Sequence, residues 1–215
     1  YILPDKCPIC SHTVFRPEDE AVARCQNMEC PAQVKGRIEH FVSKNCMDID
    51  GFGEKLVNQL IEKKLIKNIS DIFYLEVSDL VKIERMGEKS TNNVIDAINQ
   101  SKERHLWRFI HSLGIRNIGE NASKILAQKF KTIKALSNVT IEELIDINEV
   151  GDIMAESVLQ FFNDERNQKI INRCLNAGLK FKDEGTQSNQ LQNIKFVITG
   201  TIRNMSRSQL KSNLE

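Results

Sequence analysis

The chain lacks a surplus of charge of either sign. Its 30 Lys and Arg residues are matched by 29 Asp and Glu residues, which leaves a formal net charge of +1. A protein that held nucleic acid mainly through bulk positive charge would be far more basic. No apolar run reaches the roughly 20 residues needed to span a bilayer. Four Pro and ten Gly in 215 residues are too few for a low-complexity chain. The composition therefore predicts a globular protein without a membrane span.

The N-terminus also lacks an initiating Met and any signal-peptide pattern, because the chain begins Tyr1-Ile2-Leu3-Pro4. This start predicts a cut inside a longer protein. With no signal peptide, the six cysteines are expected in a reducing cytosol, where disulfides are rare. Four of them fall within residues 7–30, while Cys46 and Cys174 stand alone.

The four clustered cysteines have the spacing of a metal site. They form a Cys-x2-Cys pair and a Cys-x4-Cys pair separated by fourteen residues, at Cys7, Cys10, Cys25 and Cys30. Such pairs supply the four soft ligands that zinc takes in a tetrahedron, and a site filled by four protein ligands is structural. The segment between the pairs suits a short hairpin but carries too few apolar residues for a core without metal.

Two alternatives to zinc are four unrelated structural cysteines and a pair of disulfides. The spacing and the very small apolar core favour zinc over both. His12 and His40 are possible substitute ligands, but four thiolates suffice. Both histidines are therefore expected at the surface or beside the ligands.

Downstream of these cysteines, one unit repeats with a period of 32 to 34 residues. Its core is a turn that ends in an apolar residue and a glycine, followed by an amphipathic helix. The turns end at Gly53, Gly87, Gly119 and Gly151, and each glycine precedes a Glu or an Asp that suits the first turn of a helix. The pattern of helix, tight glycine turn and helix predicts four helix-hairpin-helix units.

Such a turn can bind phosphate without a large net charge. Glycine allows close approach to a ligand, and the N-terminus of the following helix offers free N–H groups and a positive dipole end. Phosphate contacts read no base edges, so binding should be independent of DNA sequence. The candidate DNA-binding residues are Gly51, Phe52, Gly53, Lys55, Gly87, Lys89, Arg116, Asn117, Gly119, Asn121 and Gly151.

A plain helical repeat, with the glycines as C-caps, is the alternative to a DNA-binding array. Four copies in register make that alternative weaker. The copies are unequal, because only the first has a glycine, Gly51, two residues before the shared one. Arg85, Asn117 and Glu149 occupy that position in the others. Glu149 would place a carboxylate near a phosphate, so the fourth hairpin is expected to be structural or a weak binder.

The chain divides into four predicted segments. Residues 1–45 form the zinc module, residues 46–181 the four hairpins, residues 182–192 a polar linker, and residues 193–215 a strand with a following helix. The last segment stops about 25 residues into a unit that needs more chain to bury a core. The predicted fold class is mainly α, with a small four-cysteine zinc module and a truncated α/β tail.

This order of parts resembles the C-terminal region of bacterial NAD-dependent DNA ligases. The resemblance extends to the tail, where Phe196 to Thr201 resemble the first strand and turn of a BRCT domain. It implies one structural Zn²⁺, nicked double-stranded DNA as partner, contact with the catalytic domains of the same polypeptide, a monomer, and a bacterial cytoplasmic location.

The resemblance also implies that the parent protein is an enzyme that uses NAD to adenylate a lysine and then seals nicks. That lysine lies in a Lys-x-Asp-Gly motif, which this chain lacks. No catalytic residue is therefore assigned, NAD is expected to bind outside this region, and the region alone is expected to be inactive. The rivals are a non-catalytic DNA-repair scaffold with tandem hairpins and a helical protein-interaction array.

Overall fold

The computed structural model describes residues 4–15 and 24–182. The predicted BRCT-like tail, residues 193–215, lies outside the described residues, as does nearly all of the predicted linker. No helix among the described residues is both long enough and apolar enough to cross a membrane.

The described residues are mainly helical, as the sequence predicts. Two short strands precede ten α-helices and one 3-10 helix. The strands are β1 (Val14–Phe15) and β2 (Arg24–Cys25). The helices are α1 (Val34–Val42), α2 (Glu54–Glu62), the 3-10 helix (Ile69–Tyr74), α3 (Val77–Leu80), α4 (Glu88–Ser101), α5 (Leu106–Ser112), α6 (Glu120–Phe130), α7 (Ile133–Ser137), α8 (Ile141–Ile145), α9 (Asp152–Asn163) and α10 (Glu165–Asn176).

The helices form four hairpins, each with a short turn between two helices. The hairpins pair α1 with α2, α3 with α4, α5 with α6, and α8 with α9. The 3-10 helix and α8 begin at capping boxes, in which Asn68 and Thr140 accept hydrogen bonds from the first turn and Asp71 and Glu143 reach back. The predicted helix-hairpin-helix units are therefore present. Neighbouring residues in the sequence determine where the 3-10 helix and α8 begin.

One continuous apolar core joins the hairpins. Its centre is a series of aromatic rings, in which Phe41 of α1 packs edge-on against Phe73 and Phe109, with centroids 5.9 and 6.3 Å apart. Phe109 in turn packs against Phe181 at 5.2 Å. Phe41 and Phe109 are fully buried. These rings come from the first hairpin, the 3-10 helix, the third hairpin and the end of the hairpin region, so these elements share one core.

The last helix, α10, returns to the middle of the chain. The Tyr74 hydroxyl donates to the Arg173 carbonyl over 3.1 Å, and the Arg173 guanidinium lies over the Tyr74 ring. The same guanidinium pairs with Asp71. These contacts hold α10 against the 3-10 helix.

Candidate metal centre and nucleic-acid interface

The four predicted zinc ligands lie together. The Sγ atoms of Cys7 and Cys30 are 3.9 Å apart, those of Cys10 and Cys25 are 3.5 Å apart, and all four lie within 4.8 Å of one another. Antiparallel pairing of β1 with β2 sets Val14 opposite Cys25, which brings the second cysteine pair back to the first. None of the four is in a disulfide.

The cluster fits a zinc ion. Zinc–sulfur bonds of about 2.3 Å in a tetrahedron place the sulfurs roughly 3.8 Å apart. The sulfurs of the two cysteine pairs are 3.9 and 3.5 Å apart, close to that distance. Burial raises the pKa of Cys25 to about 12. Burial also acts to raise the pKa of Cys10, but hydrogen bonds with the His12 backbone and the Asn27 side chain outweigh it and lower that pKa to about 6. A bound ion would displace the protons that remain on the thiols.

A second cluster, His40, Cys46 and His111, also brings possible ligands within 4.8 Å. The His40 Nε2 atom lies 3.0 Å from the His111 carbonyl, so that nitrogen donates to the backbone. The Cys46 sulfur lies 3.5 Å from Nε2 and 3.8 Å from Nδ1 of His40. We interpret this cluster as packing between α1 and α5, and the expectation of a single zinc stands.

The zinc module docks on α9 and α10. The Met28 backbone N–H lies 3.4 Å from Oδ1 of Asn167, a fully buried residue whose amide donates to the Phe161 carbonyl. Two further pairs flank this contact, Gln26 with Gln160 at 3.3 Å and His12 with Asp164 at 2.8 Å. Asn167 is therefore a buried polar residue that has hydrogen-bond partners in both the module and α9.

The four hairpin turns share one backbone conformation. The residue two positions before the shared glycine has a left-handed φ in every copy, +83° at Gly51, +63° at Arg85, +59° at Asn117 and +72° at Glu149. Gly51 has an additional reason to be glycine, since a Cβ there would lie 2.7 Å from Val94 Cγ2 on α4. The sequence register of the repeats therefore corresponds to a common turn.

The shared glycines themselves have no internal need to be glycine. Gly53, Gly87, Gly119 and Gly151 are the N-caps of α2, α4, α6 and α9, with extended backbones that any residue adopts. A Cβ at any of the four would meet no atom within 4 Å, and no side chain caps these helices. All four glycines are exposed. Open space before a helix N-terminus suits close approach by an outside partner.

The apolar residue before each glycine anchors its turn. Phe52, Ile118 and Val150 are buried at 5 to 6% exposure, and Met86 packs partly buried against the same core. The buried residue therefore anchors the turn to the core, while the exposed glycine leaves space before the helix N-terminus.

Charge distinguishes the first and third hairpins from the fourth. Lys35 lies 2.7 Å from the Glu54 carboxylate, and Lys124 lies 2.9 Å from that of Glu120. Each lysine lowers the pKa of its partner carboxyl group by hydrogen bonding. In the fourth hairpin, no ion pair among the described residues neutralises Glu149 or Asp152.

The other candidate residues differ in their surroundings. Lys55 and Lys89 are exposed beside the first and second turns. The Asn117 amide lies 3.4 Å from the Ser157 hydroxyl, and the Asn121 amide donates to Glu149 over 3.0 Å. Arg116 is half-buried and lines a cavity beside the zinc module. The two asparagines therefore connect hairpins, a role that sequence reasoning did not anticipate.

Two arginines missed by sequence reasoning support the first hairpin. Arg104 donates to the carbonyl groups of Met47 and Asp48 and pairs with the Asp48 carboxylate at 2.9 Å. Arg108 donates to the carbonyl groups of Lys44 and Cys46. No local pattern marks these residues, because their partners lie far away along the chain.

Family models of known proteins match the cysteine cluster and the hairpins. Residues 6–32 match the NAD-dependent DNA ligase C4 zinc finger domain. Residues 45–100 match the SAM-like helix-hairpin-helix tandem, and residues 108–171 match the helix-hairpin-helix motif. The family models thus cover both the cysteine cluster and all four hairpin turns.

Curated relatives match over nearly the whole chain. DNA ligase from Clostridioides difficile is 42% identical over 99% of the chain, that from Halothermothrix orenii 41% over 97%, and that from Caldicellulosiruptor bescii 44% over 99%. The match covers 32% of each relative's length, so the chain spans about a third of these proteins. The chain therefore belongs, as a region with a C4 zinc finger and helix-hairpin-helix motifs, to the family of NAD-dependent DNA ligases.

Proposed function

We propose that this region holds nicked double-stranded DNA for an enzyme that seals the nick during replication and repair. The observation that carries the proposal is the set of four exposed N-cap glycines with empty space before them. A phosphate oxygen fits such a helix N-terminus, because backbone N–H groups and the helix dipole both favour an anion. Phosphates look alike in every sequence, so binding is independent of base sequence.

The hairpins contribute unequally in this proposal. In the first and third, lysines neutralise the carboxylates of Glu54 and Glu120, so a phosphate meets little repulsion. In the fourth, Glu149 and Asp152 add negative charge at the turn. We assign the main contacts to the first and third hairpins, a supporting contact to the second, and a structural role to the fourth.

The zinc ion is structural in this proposal. Cys7, Cys10, Cys25 and Cys30 would supply all four ligands, which leaves no position for a substrate or a water. The ion would hold the module against α9 and α10 through Met28 and Asn167. Segment boundaries at residues 45, 181 and 192, a monomeric state, contact with catalytic domains of the same polypeptide and a bacterial cytoplasmic location are parts of the same proposal.

Catalysis belongs to other parts of the parent enzyme. The chain has no Lys-x-Asp-Gly motif, so the lysine that NAD adenylates and the NAD site itself are assigned to a segment outside these 215 residues. The rival function is a non-catalytic repair scaffold with tandem hairpins. Sequencing the gene upstream of Tyr1 separates the two, because a ligase requires the adenylation motif there.

Fluorescence anisotropy tests the DNA contact. The zinc-loaded chain should bind a labelled nicked duplex of any sequence, and rising salt should weaken the binding as counterions return to the DNA. The double variant Gly53→Asp, Gly119→Asp should lose most of the affinity while retaining its helical circular dichroism. Equal binding by wild type and double variant would refute the assignment of these turns to DNA.

A further inference from the structure

A cavity of about 460 Å³ lies between the zinc module, α1, the start of the third hairpin turn and α9. The zinc ligand Cys25 lines it, and so do Gln33 and Arg37 of α1. Arg37 is half-buried there. None of the described residues that line the cavity is acidic. A guanidinium group therefore shares this space with a metal ligand and with no carboxylate.

The start of α1 joins a second zinc ligand to the same arginine. The backbone N–H groups of Gln33 and Val34 donate to the Cys30 carbonyl over 2.8 and 3.0 Å, so α1 begins directly on Cys30. One turn later, the Arg37 Nε and Nη2 atoms both donate to Oε1 of Gln33, at 3.2 and 3.0 Å. Helical side chains point toward the N-terminus. The guanidinium is therefore held at the end of α1 that carries Cys30.

Arg37 has no carboxylate partner among the residues that the structure describes. A half-buried guanidinium loses part of its hydration and stays charged, so it requires an opposite charge nearby. Burial lowers the pKa of Arg37, and the thiolates of Cys25 and Cys30 act against that shift. The negative charge that compensates this arginine is therefore that of the zinc ligands.

This negative charge depends on the metal. Burial raises the pKa of Cys25 to about 12 and also raises the pKa of Cys30, so without metal both are neutral thiols at neutral pH. Zinc binds thiolates and displaces their protons. A zinc ion with four thiolates then carries two negative charges. Metal binding thus places negative charge beside a guanidinium that otherwise faces two neutral thiols.

We propose that Arg37 is the counter-ion of the zinc site and that its positive charge raises the affinity of the four cysteines for zinc. Gln33 is the positioning residue, because it holds the guanidinium beside the ligands. Such a coupling is reciprocal, so bound zinc also stabilises α1, the first helix of the first hairpin. The inference concerns the metal alone and does not rest on DNA binding.

Competition with a zinc chelator at neutral pH measures the affinity of the whole chain for zinc. Arg37→Gln removes the charge and should lower that affinity about tenfold or more, as for other groups that support metal ligands. Arg37→Lys keeps the charge and should retain most of the affinity. Lys169→Gln makes the same charge change on the exposed side of α10 and should match the wild type.

A second variant separates charge from packing. Gln33→Glu is nearly isosteric, and an acidic residue suits the N-terminus of α1, so the fold should be retained. The new carboxylate would pair with Arg37 and would add negative charge beside the thiolates. Zinc affinity should therefore fall, although Arg37 itself is unchanged. Circular dichroism verifies the fold of each variant. If Arg37→Gln does not fold, Gln33→Glu decides the question.

Equal zinc affinity in the wild type, Arg37→Gln and Gln33→Glu would overturn the proposal. So would a loss in Arg37→Gln that Arg37→Lys shares in full, because the shape of the side chain and not its charge would then matter. Anisotropy of the zinc-loaded wild type with a nicked duplex is a separate measurement. A failure to bind DNA there overturns the proposed function and leaves the role of Arg37 intact.

Discussion

The Asn121 side-chain amide donates a hydrogen bond to the Glu149 carboxylate over 3.0 Å, and so links the helix of the third hairpin to the turn of the fourth. A carboxylate that would repel a phosphate is thereby held by a neutral donor, and its negative charge remains. The two hairpins should therefore respond differently to added charge.

Adding a carboxylate at the third turn should weaken DNA binding more than adding one at the fourth. Gly119→Asp should reduce affinity for nicked duplex by about tenfold or more, since it opposes a phosphate at the helix N-terminus. Gly151→Asp is the matched variant and should have a smaller effect, because Glu149 and Asp152 already lie there. Both should fold, as the backbone at each site is extended and open. Anisotropy decides the order, and equal losses would contradict it.

Removing the charge of Glu149 while keeping its acceptor oxygen should tighten DNA binding. Glu149→Gln can still accept from Asn121, but it no longer repels the backbone of the duplex. We expect roughly threefold tighter binding at low salt, fading as salt screens the charge. Glu62→Gln at the far end of α2 makes the same charge change away from the four glycine turns and should have no effect. Weaker binding by Glu149→Gln would count against the charge argument.

Zinc content should depend on the four clustered cysteines alone. Elemental analysis of the purified chain should give one zinc per molecule. Cys25→Ser should lose it, while Cys46→Ser and Cys174→Ser should retain it, because Cys46 packs beside His40 and Cys174 is buried in the core. Less than about half an equivalent in the wild type would contradict a site of four thiolates.

The isolated chain should not form a covalent adduct with AMP. It contains no Lys-x-Asp-Gly motif, so no lysine is placed for nucleotidyl transfer. Mass spectrometry after incubation with NAD and Mg²⁺ should show the unmodified mass. A catalytic region of a related ligase, treated in parallel, verifies that the reaction works. An added AMP mass on this chain would show that the catalytic lysine has been assigned to the wrong part of the enzyme.

Local chemistry made the hairpins and the metal site predictable. The glycine register and the cysteine spacing can each be recognised over a short stretch of sequence. The first predicts a left-handed turn, and the second predicts a cluster of thiols. Asn117 adopts the left-handed conformation, which its residue type tolerates, with a φ of +59°. Arg85 and Glu149 adopt it too, although neither residue type favours it.

The arrangement of the parts was not predictable from local pattern. Arg24, Arg37 and Arg116 meet at one cavity, although the last is far from the other two in sequence, because α1 packs against α5. Nothing in the sequence distinguishes Asn167 from other polar residues. Only the structure shows that it is buried and contacts Met28.

The contact between the zinc module and the last hairpin constrains how the chain folds during synthesis. Met28 and Asn167 are separated by 139 positions, and Gln26 and Gln160 by 134. The ribosome completes the cysteine cluster before it makes α9 and α10, so metal binding can precede docking. Docking must wait for α9 and α10, because closing so long a loop is slow and its partners are made last. A nascent chain stopped before residue 152 should therefore hold zinc in a module that is not yet docked, where a protease could cut between Cys30 and Val34.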